Sequence, residues 1–137
     1  MRPEGSNQFV NKLEKAINGE FSAIACYKKL AKMAPSDEIR ETINEIRQDE
    51  IRHYQGFLQM YTSFTGLQLT PKISEECPDS YEKGLEFAFK DEQKTVDFYL
   101  QMADEATDVN IKEQFKRAAA DEQNHAVWFL FFMMDKD

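Results

Sequence analysis

The sequence predicts an all-α protein, an antiparallel four-helix bundle made of two duplicated helical hairpins. Apolar residues recur at spacings of three and four through most of the chain, and no segment alternates with the period of a strand. The chain also repeats itself. Asp49-Glu50-Ile51-Arg52-His53 returns 72 residues later as Asp121-Glu122-Gln123-Asn124-His125, and at that offset 14 of the 46 positions from 13 to 58 are identical. Roughly three would match by chance. Break signals, finally, divide the chain where four helices of similar length would end.

The first helix is expected over about 7–34, with Phe9, Leu13, Ala16, Ile17, Glu20, Ile24, Tyr27, Ala31 and Ala34 on one face. Pro35 ends it, because a proline supplies no N–H and disfavours helix in the residue before it. Ser36, Asp37 and Glu38 give the second helix, about 37–64, a hydroxyl cap and an acidic first turn. Its inward face carries Ile39, Ile43, Ile46, Glu50, His53, Phe57 and Met60, and Gly66 marks its stop.

A connection from Leu67 to Pro78 leads to Asp79-Ser80-Tyr81-Glu82, which looks like a capping box opening a third helix, about 80–106. Leu85, Ala88, Phe89, Glu92, Val96, Tyr99 and Ala103 share its inner face. Thr107-Asp108 makes the next break. The fourth helix, about 109–134, turns Ile111, Phe115, Ala118, Glu122, His125, Phe129 and Met133 inward. A connection of roughly 13 residues reaches about 45 Å and a 28-residue helix is about 42 Å long, so one lengthwise crossover between the hairpins is feasible. The whole of 1–137 is read as a single domain.

At 137 residues the chain is large enough to bury about two-thirds of its unfolded surface without staples. Cys26 and Cys77 stand alone, with no Cys-x-x-Cys, so the sequence predicts neither a disulfide framework nor a thiolate metal knuckle, and Cys26 is expected as a small core residue. The formal charge of −8 disfavours nucleic acid and anionic membrane as partners and suits a protein that attracts cations. No basic-then-apolar signal pattern opens the chain, and the longest apolar run, 126–134, is about half a membrane span. A soluble cytoplasmic protein is expected.

The chemistry lies in the repeat. Both histidines of the chain follow a glutamate by three residues, and residues i and i+3 project from one face of a helix, so each Glu-x-x-His offers an oxygen and a nitrogen to one point. Glu20 and Glu50 are centred on position 35, and Glu92 and Glu122 on 107, in the two turns. In an antiparallel hairpin each single Glu then faces the Glu-x-x-His of its own hairpin. Six ligands follow: Glu20, Glu50, His53, Glu92, Glu122 and His125. Four carboxylates cancel the charge of two divalent ions, and mixed oxygen and imidazole donors suit iron, with manganese as the chemical rival. Asp49 and Asp121 are candidate partners for the histidines' second N–H, Asp49 for His125 and Asp121 for His53. Tyr27 and Tyr99, two turns beyond Glu20 and Glu92, are candidate hydrogen-bond partners or electron relays, or core residues.

This ordered set of ligands, spread over nearly the whole chain, resembles the ferritin-like di-iron carboxylate superfamily, and within it the small rubrerythrin-like proteins. The resemblance implies that Glu50 and Glu122 bridge two iron ions per chain, that Glu20 and Glu92 are terminal ligands, and that His53 and His125 each bind one ion. It implies an oxidoreductase that reacts with O2 or hydrogen peroxide, taking electrons from an external donor. The alternative is a ferroxidase or iron-storage protein of ferritin or bacterioferritin type. Three departures are visible: Thr95 stands where rubrerythrins carry an additional glutamate, there are no cysteine pairs for a rubredoxin domain, and Ile51 stands where bacterioferritins place a haem-ligating methionine. The run Trp128-Phe129-Leu130-Phe131-Phe132 is apolar all round its helix, more than one buried face requires, and predicts a homodimer or larger homo-oligomer.

Overall fold

The computed structural model describes residues 4–135, which form four helices and, among themselves, no strand. These are α1 (Glu4–Met33), α2 (Asp37–Thr65), α3 (Tyr81–Glu105) and α4 (Val109–Met134). Every expected helix is present, with ends within about a turn of the predicted ones. The chain divides into two compact units, Met1–Lys32 with Arg40–Glu76, and Met33–Ile39 with Cys77–Asp137.

In the first unit α1 and α2 run antiparallel, and their contacts fix the register. Phe9 meets Phe64 with ring centroids 5.1 Å apart, Tyr61 Oη donates to Glu14 Oε1 at 3.3 Å, and Phe21 lies 6.0 Å from Tyr54. Nearer the turn, Arg47 Nε donates to the carbonyl of Ile24 at 2.9 Å and Arg40 Nε to that of Ala31 at 3.2 Å. Leu13, Ile17, Leu30, Ile43 and Phe57 are wholly buried, each stabilising the unit by about 1.5–3 kcal/mol relative to exposure. α2 stops at Gly66, whose φ of 73° lets its N–H reach the carbonyl of Thr62 at 2.8 Å.

The chain beyond α2 is fastened to α1. Lys72 N–H donates to Asn18 Oδ1 at 3.0 Å and Ser74 N–H to Ser22 Oγ at 2.8 Å. Residues four apart on a helix are spaced about 6 Å along its axis, and residues two apart in an extended chain about 6.6 Å, so the two bonds fit side by side. Ser22 gives its own hydroxyl proton to the carbonyl of Asn18 at 2.8 Å. Ser74 Oγ is therefore the donor in its 3.2 Å contact with Ser22 Oγ.

The second unit repeats the first. Lys112 Nζ donates to the carbonyl of Ala103, 72 residues on from the bond between Arg40 and Ala31. In both copies a cation from the following helix satisfies a carbonyl of the last turn that has no helical partner. Ser36 Oγ accepts from Ile39 N at 3.2 Å, and its counterpart Asp108 accepts from Ile111 N at 3.1 Å and Asn110 N at 2.8 Å. Tyr99 packs edge-on against Phe115 at 5.6 Å, with Met102 and Phe129 wholly buried nearby in sequence on α3 and α4.

Three expectations change. The α3 cap is Ser80, which accepts from Lys83 N at 3.2 Å; with a lysine at that third position the reciprocal bond of a capping box cannot form. On α4 it is Phe132, not Met133, that points inward, because with Phe129 it continues the three-residue step of the buried stripe. Neither cysteine is free: Cys26 is buried as expected, but both cysteines are disulfide-bonded.

Two glycines with open space at the Cβ position separate backbone conformation from packing. Nothing lies within 4 Å of a Cβ built on Gly19 or Gly66, and only Gly66 has positive φ. Gly66→Ala is expected to lower stability by about 1–2 kcal/mol, and Gly19→Ala, inside α1, to raise it by about 0.5–1 kcal/mol. Urea unfolding of metal-depleted protein measures both, and the two midpoints should move in opposite directions.

Candidate metal centre

Each unit holds one buried cluster of two carboxylates and an imidazole. In the first, Glu20 comes from α1 and Glu50 and His53 from successive turns of α2. His53 Nδ1 lies 3.2 Å from Glu20 Oε2 and 3.1 Å from Glu50 Oε1. In the second, Glu92 comes from α3 and Glu122 and His125 from α4. His125 Nδ1 lies 2.7 Å from Glu92 Oε2 and 3.6 Å from Glu122 Oε1. The hairpin register places the two clusters at corresponding heights of their own hairpins, as the turn-centred spacing predicts.

Burial makes these clusters costly. The four glutamates expose 1–2% of their surface, and an ionised carboxylate removed from water needs a compensating partner. A protonated histidine can balance only one of the two carboxylates beside it, so with both ionised each cluster would carry uncompensated negative charge. A cation resolves this. An ion about 2.1 Å from each donor needs donors no more than roughly 4.2 Å apart, and the four Nδ1 to carboxylate distances, 2.7–3.6 Å, lie inside that limit. Within each cluster one donor atom from every residue lies within 4.8 Å of the others. One nitrogen and two oxygens form a donor set suited to iron or manganese, since a structural zinc site favours thiolates.

The remaining candidate residues stand as follows. Asp49 pairs with Arg52, and Asp121 Oδ1 accepts from Arg117 Nε at 3.1 Å, and both carboxylates are partly exposed. Tyr27 and Tyr99 are each 1% exposed, and the edge contact between Tyr99 and Phe115 gives Tyr99 a packing role. Partial burial pushes the pKa of the Tyr54 phenol, next in sequence to His53, above its ordinary value. Thr95 turns its hydroxyl back on its own helix, donating to the carbonyl of Asp91 at 2.8 Å. Sequence reading did not find Asn18 and Ser22, which flank Glu20 on α1 and hold the segment beyond α2. Their signal was a pair of polar residues four apart on a largely apolar helix.

The model of a family described as MjaI restriction endonuclease matches residues 10–137. The chain belongs to that family. It is 58% identical over 127 residues to the uncharacterized protein YhjR of Bacillus subtilis strain 168, a match that covers 93% of this chain and 88% of that protein. Solved structures share its fold. A ferritin-like, diiron-carboxylate protein from Bacillus anthracis strain Ames superposes with a TM-score of 0.80 over 96% of this chain and 99% of that one. The Desulfovibrio desulfuricans bacterioferritin, described with its diiron site in different catalytic states, does so with a TM-score of 0.79 over 95% and 80%. Both are 20% identical to this chain. The chain is thus an all-α four-helix bundle with the ferritin-like fold. No helix among its described residues is long and apolar enough to cross a membrane.

If the buried carboxylates are present to hold a cation, relieving one charge should separate stability from binding. Glu122→Gln, which relieves the carboxylate farther from His125 (3.6 Å) and keeps the 2.7 Å pair of His125 with Glu92, is expected to raise the melting temperature of metal-depleted protein, with a gain of about 1–3 kcal/mol. It should at the same time shrink the rise in melting temperature produced by ferrous or manganous ion. Thermal unfolding with and without metal checks both signs.

Proposed function

We propose that the two Glu-Glu-His clusters are the halves of one di-iron centre, and that the chain is a rubrerythrin-like oxidoreductase acting on O2 or hydrogen peroxide. The observation that carries this reading is the duplicated cluster: the same two carboxylates and imidazole, buried at matching positions in both hairpins. In this reading Glu50 and Glu122 would be shared by both ions, Glu20 and Glu92 would each serve one, and His53 and His125 would each serve one. Support comes from the ferritin-like fold and from the diiron sites named for two of the structures that share it. Manganese is the alternative occupant.

When bound there, two ferrous ions would supply the two electrons that reduction of O2 to peroxide, or of hydrogen peroxide to water, takes. The protein's part is to keep six ligands in place, to exclude bulk water, and to remain close to neutral when the four carboxylates face two divalent ions. Returning the centre to its reduced state requires an external electron donor, because the chain carries no cysteine pairs for a rubredoxin-type iron. Asp49 toward His125 and Asp121 toward His53 complete the proposed set. We place the protein in the cytoplasm.

The family's description names DNA cleavage, and two observations weigh against that chemistry here. Metal-assisted cleavage needs a phosphodiester in contact with the metal, whereas the four glutamates expose 1–2% of their surface. The formal charge of −8 also repels a polyanion. Iron storage is the second redox reading, favoured by the likeness to a bacterioferritin.

Three outcomes are expected. Anaerobically loaded protein should bind two iron ions per chain, and Glu50→Ala or Glu122→Ala should lose both, since a bridging carboxylate serves both ions. Metal analysis showing one ion per fully loaded chain would sink the dinuclear reading. Oxidation of the ferrous protein by O2 or peroxide should stop at about one equivalent per site and resume only with added reductant; a soluble particle holding hundreds of irons per oligomer would favour storage. Trp128, Leu130 and Phe131 are the exposed members of the aromatic run, while Phe129 and Phe132 are core. Self-association through those exposed residues should be lost in Phe131→Glu, read as a fall in mass by light scattering.

A further inference from the structure

The two copies of the cluster differ at a position that bears on how an ion comes and goes. Gly56 stands where Trp128 stands in the repeat, three residues after the histidine in each case. On a helix the residue at i+3 lies one turn along the same face, and its side chain leans back toward the N-terminus, over residue i. Trp128 therefore overhangs the turn that carries His125. It is braced there by Phe131 and Phe132, whose rings lie 6.1 and 5.8 Å from its own. Gly56 offers no side chain to cover the turn that carries His53.

The exposures differ in the same sense. The side chain of His53 is 8% exposed and that of His125 is 1%, although the carboxylates of both clusters are buried alike. The more accessible copy is the one without an overhanging side chain.

We infer that the two metal positions differ in access: the ion held by Glu20, Glu50 and His53 exchanges past His53 through the gap beside Gly56, and the ion held by Glu92, Glu122 and His125 is retained beneath Trp128. The ligand class is a divalent first-row cation. Exchange involves no redox step, only replacement of protein donors by water. The inference rests on the metal-binding part of the reading above and is independent of the oxidoreductase part.

The test uses the full chain loaded with Co2+, whose absorption reports occupancy, and an excess of EDTA. Cobalt should leave in two phases of equal amplitude, with rates about tenfold or more apart, the low end of the 10–100-fold by which groups around a metal's ligands change its affinity. Trp128→Ala should accelerate the slow phase alone, and Gly56→Ala should slow the fast phase alone. Trp128 is 39% exposed, so its variant tests the inference even if Gly56→Ala does not fold. A single phase, or a slow phase unmoved by Trp128→Ala, would overturn the inference while leaving the metal reading intact. Fewer than two cobalt ions per chain before EDTA is added would overturn the metal reading itself.

Discussion

The constraint on which the rest depends is the cost of holding two carboxylates beside one imidazole away from water. Each buried ion costs several kcal/mol even after the surroundings relax, and a protein of this size has a total stability of only about 5–15 kcal/mol. The apolar residues a turn from each cluster's ligand positions, Ile17 and Phe57 in one hairpin, Ala88 and Phe129 in the other, are wholly buried and offset that cost. A core assembled for stability alone would place apolar side chains at these six positions. That carboxylates occupy them twice is the physical reason for reading the clusters as metal ligands.

Duplication explains how the cost is met without elaborate machinery. The cap at Ser36 recurs at Asp108, the cation on a last-turn carbonyl recurs from Arg40 to Lys112, and the bond between His53 and Glu20 recurs between His125 and Glu92. These bonds tie helix ends and helix heights, so the height at which the lone glutamate meets the Glu-x-x-His is set by the turn. The side chains that make the bonds differ between the copies, Ser for Asp and Arg for Lys, while the geometry persists. What is repeated is a register.

The copies diverge where the register leaves them free to. Asn18 and Ser22 fasten the chain beyond α2 to α1, while the equivalent positions on α3, Lys90 and Lys94, carry long cationic side chains. Gly56 and Trp128 differ more in volume than any other pair of residue types could, at a position one turn from the histidine of each cluster. Gly56 and Trp128 leave the hairpin intact because neither is part of its buried stripe, and such positions are where two similar sites can acquire different behaviour.

The sequence by itself determined the four helices, their ends to within about a turn, the register of each hairpin and the six candidate ligands. All of these follow from local rules: the 3.6-residue period, the caps, the breaks, and the equal spacing of Glu20 and Glu50, and of Glu92 and Glu122, about the turns. Only the tertiary structure decided the rest. It chose Phe132 over Met133 for the core, because the direction of a helix apolar all round is set by what it packs against. It made Ser80 a simple cap, and it made disulfide-bonded residues of two cysteines whose spacing carried no signal, because sequence separation does not fix Cβ distance. It fastened Lys72 and Ser74 to α1 through bonds that span more than 50 residues, for which no local pattern exists. And it exposed the unequal cover of His53 and His125, since a side chain's access to water depends on every neighbour around it, and the sequence shows only those along the chain.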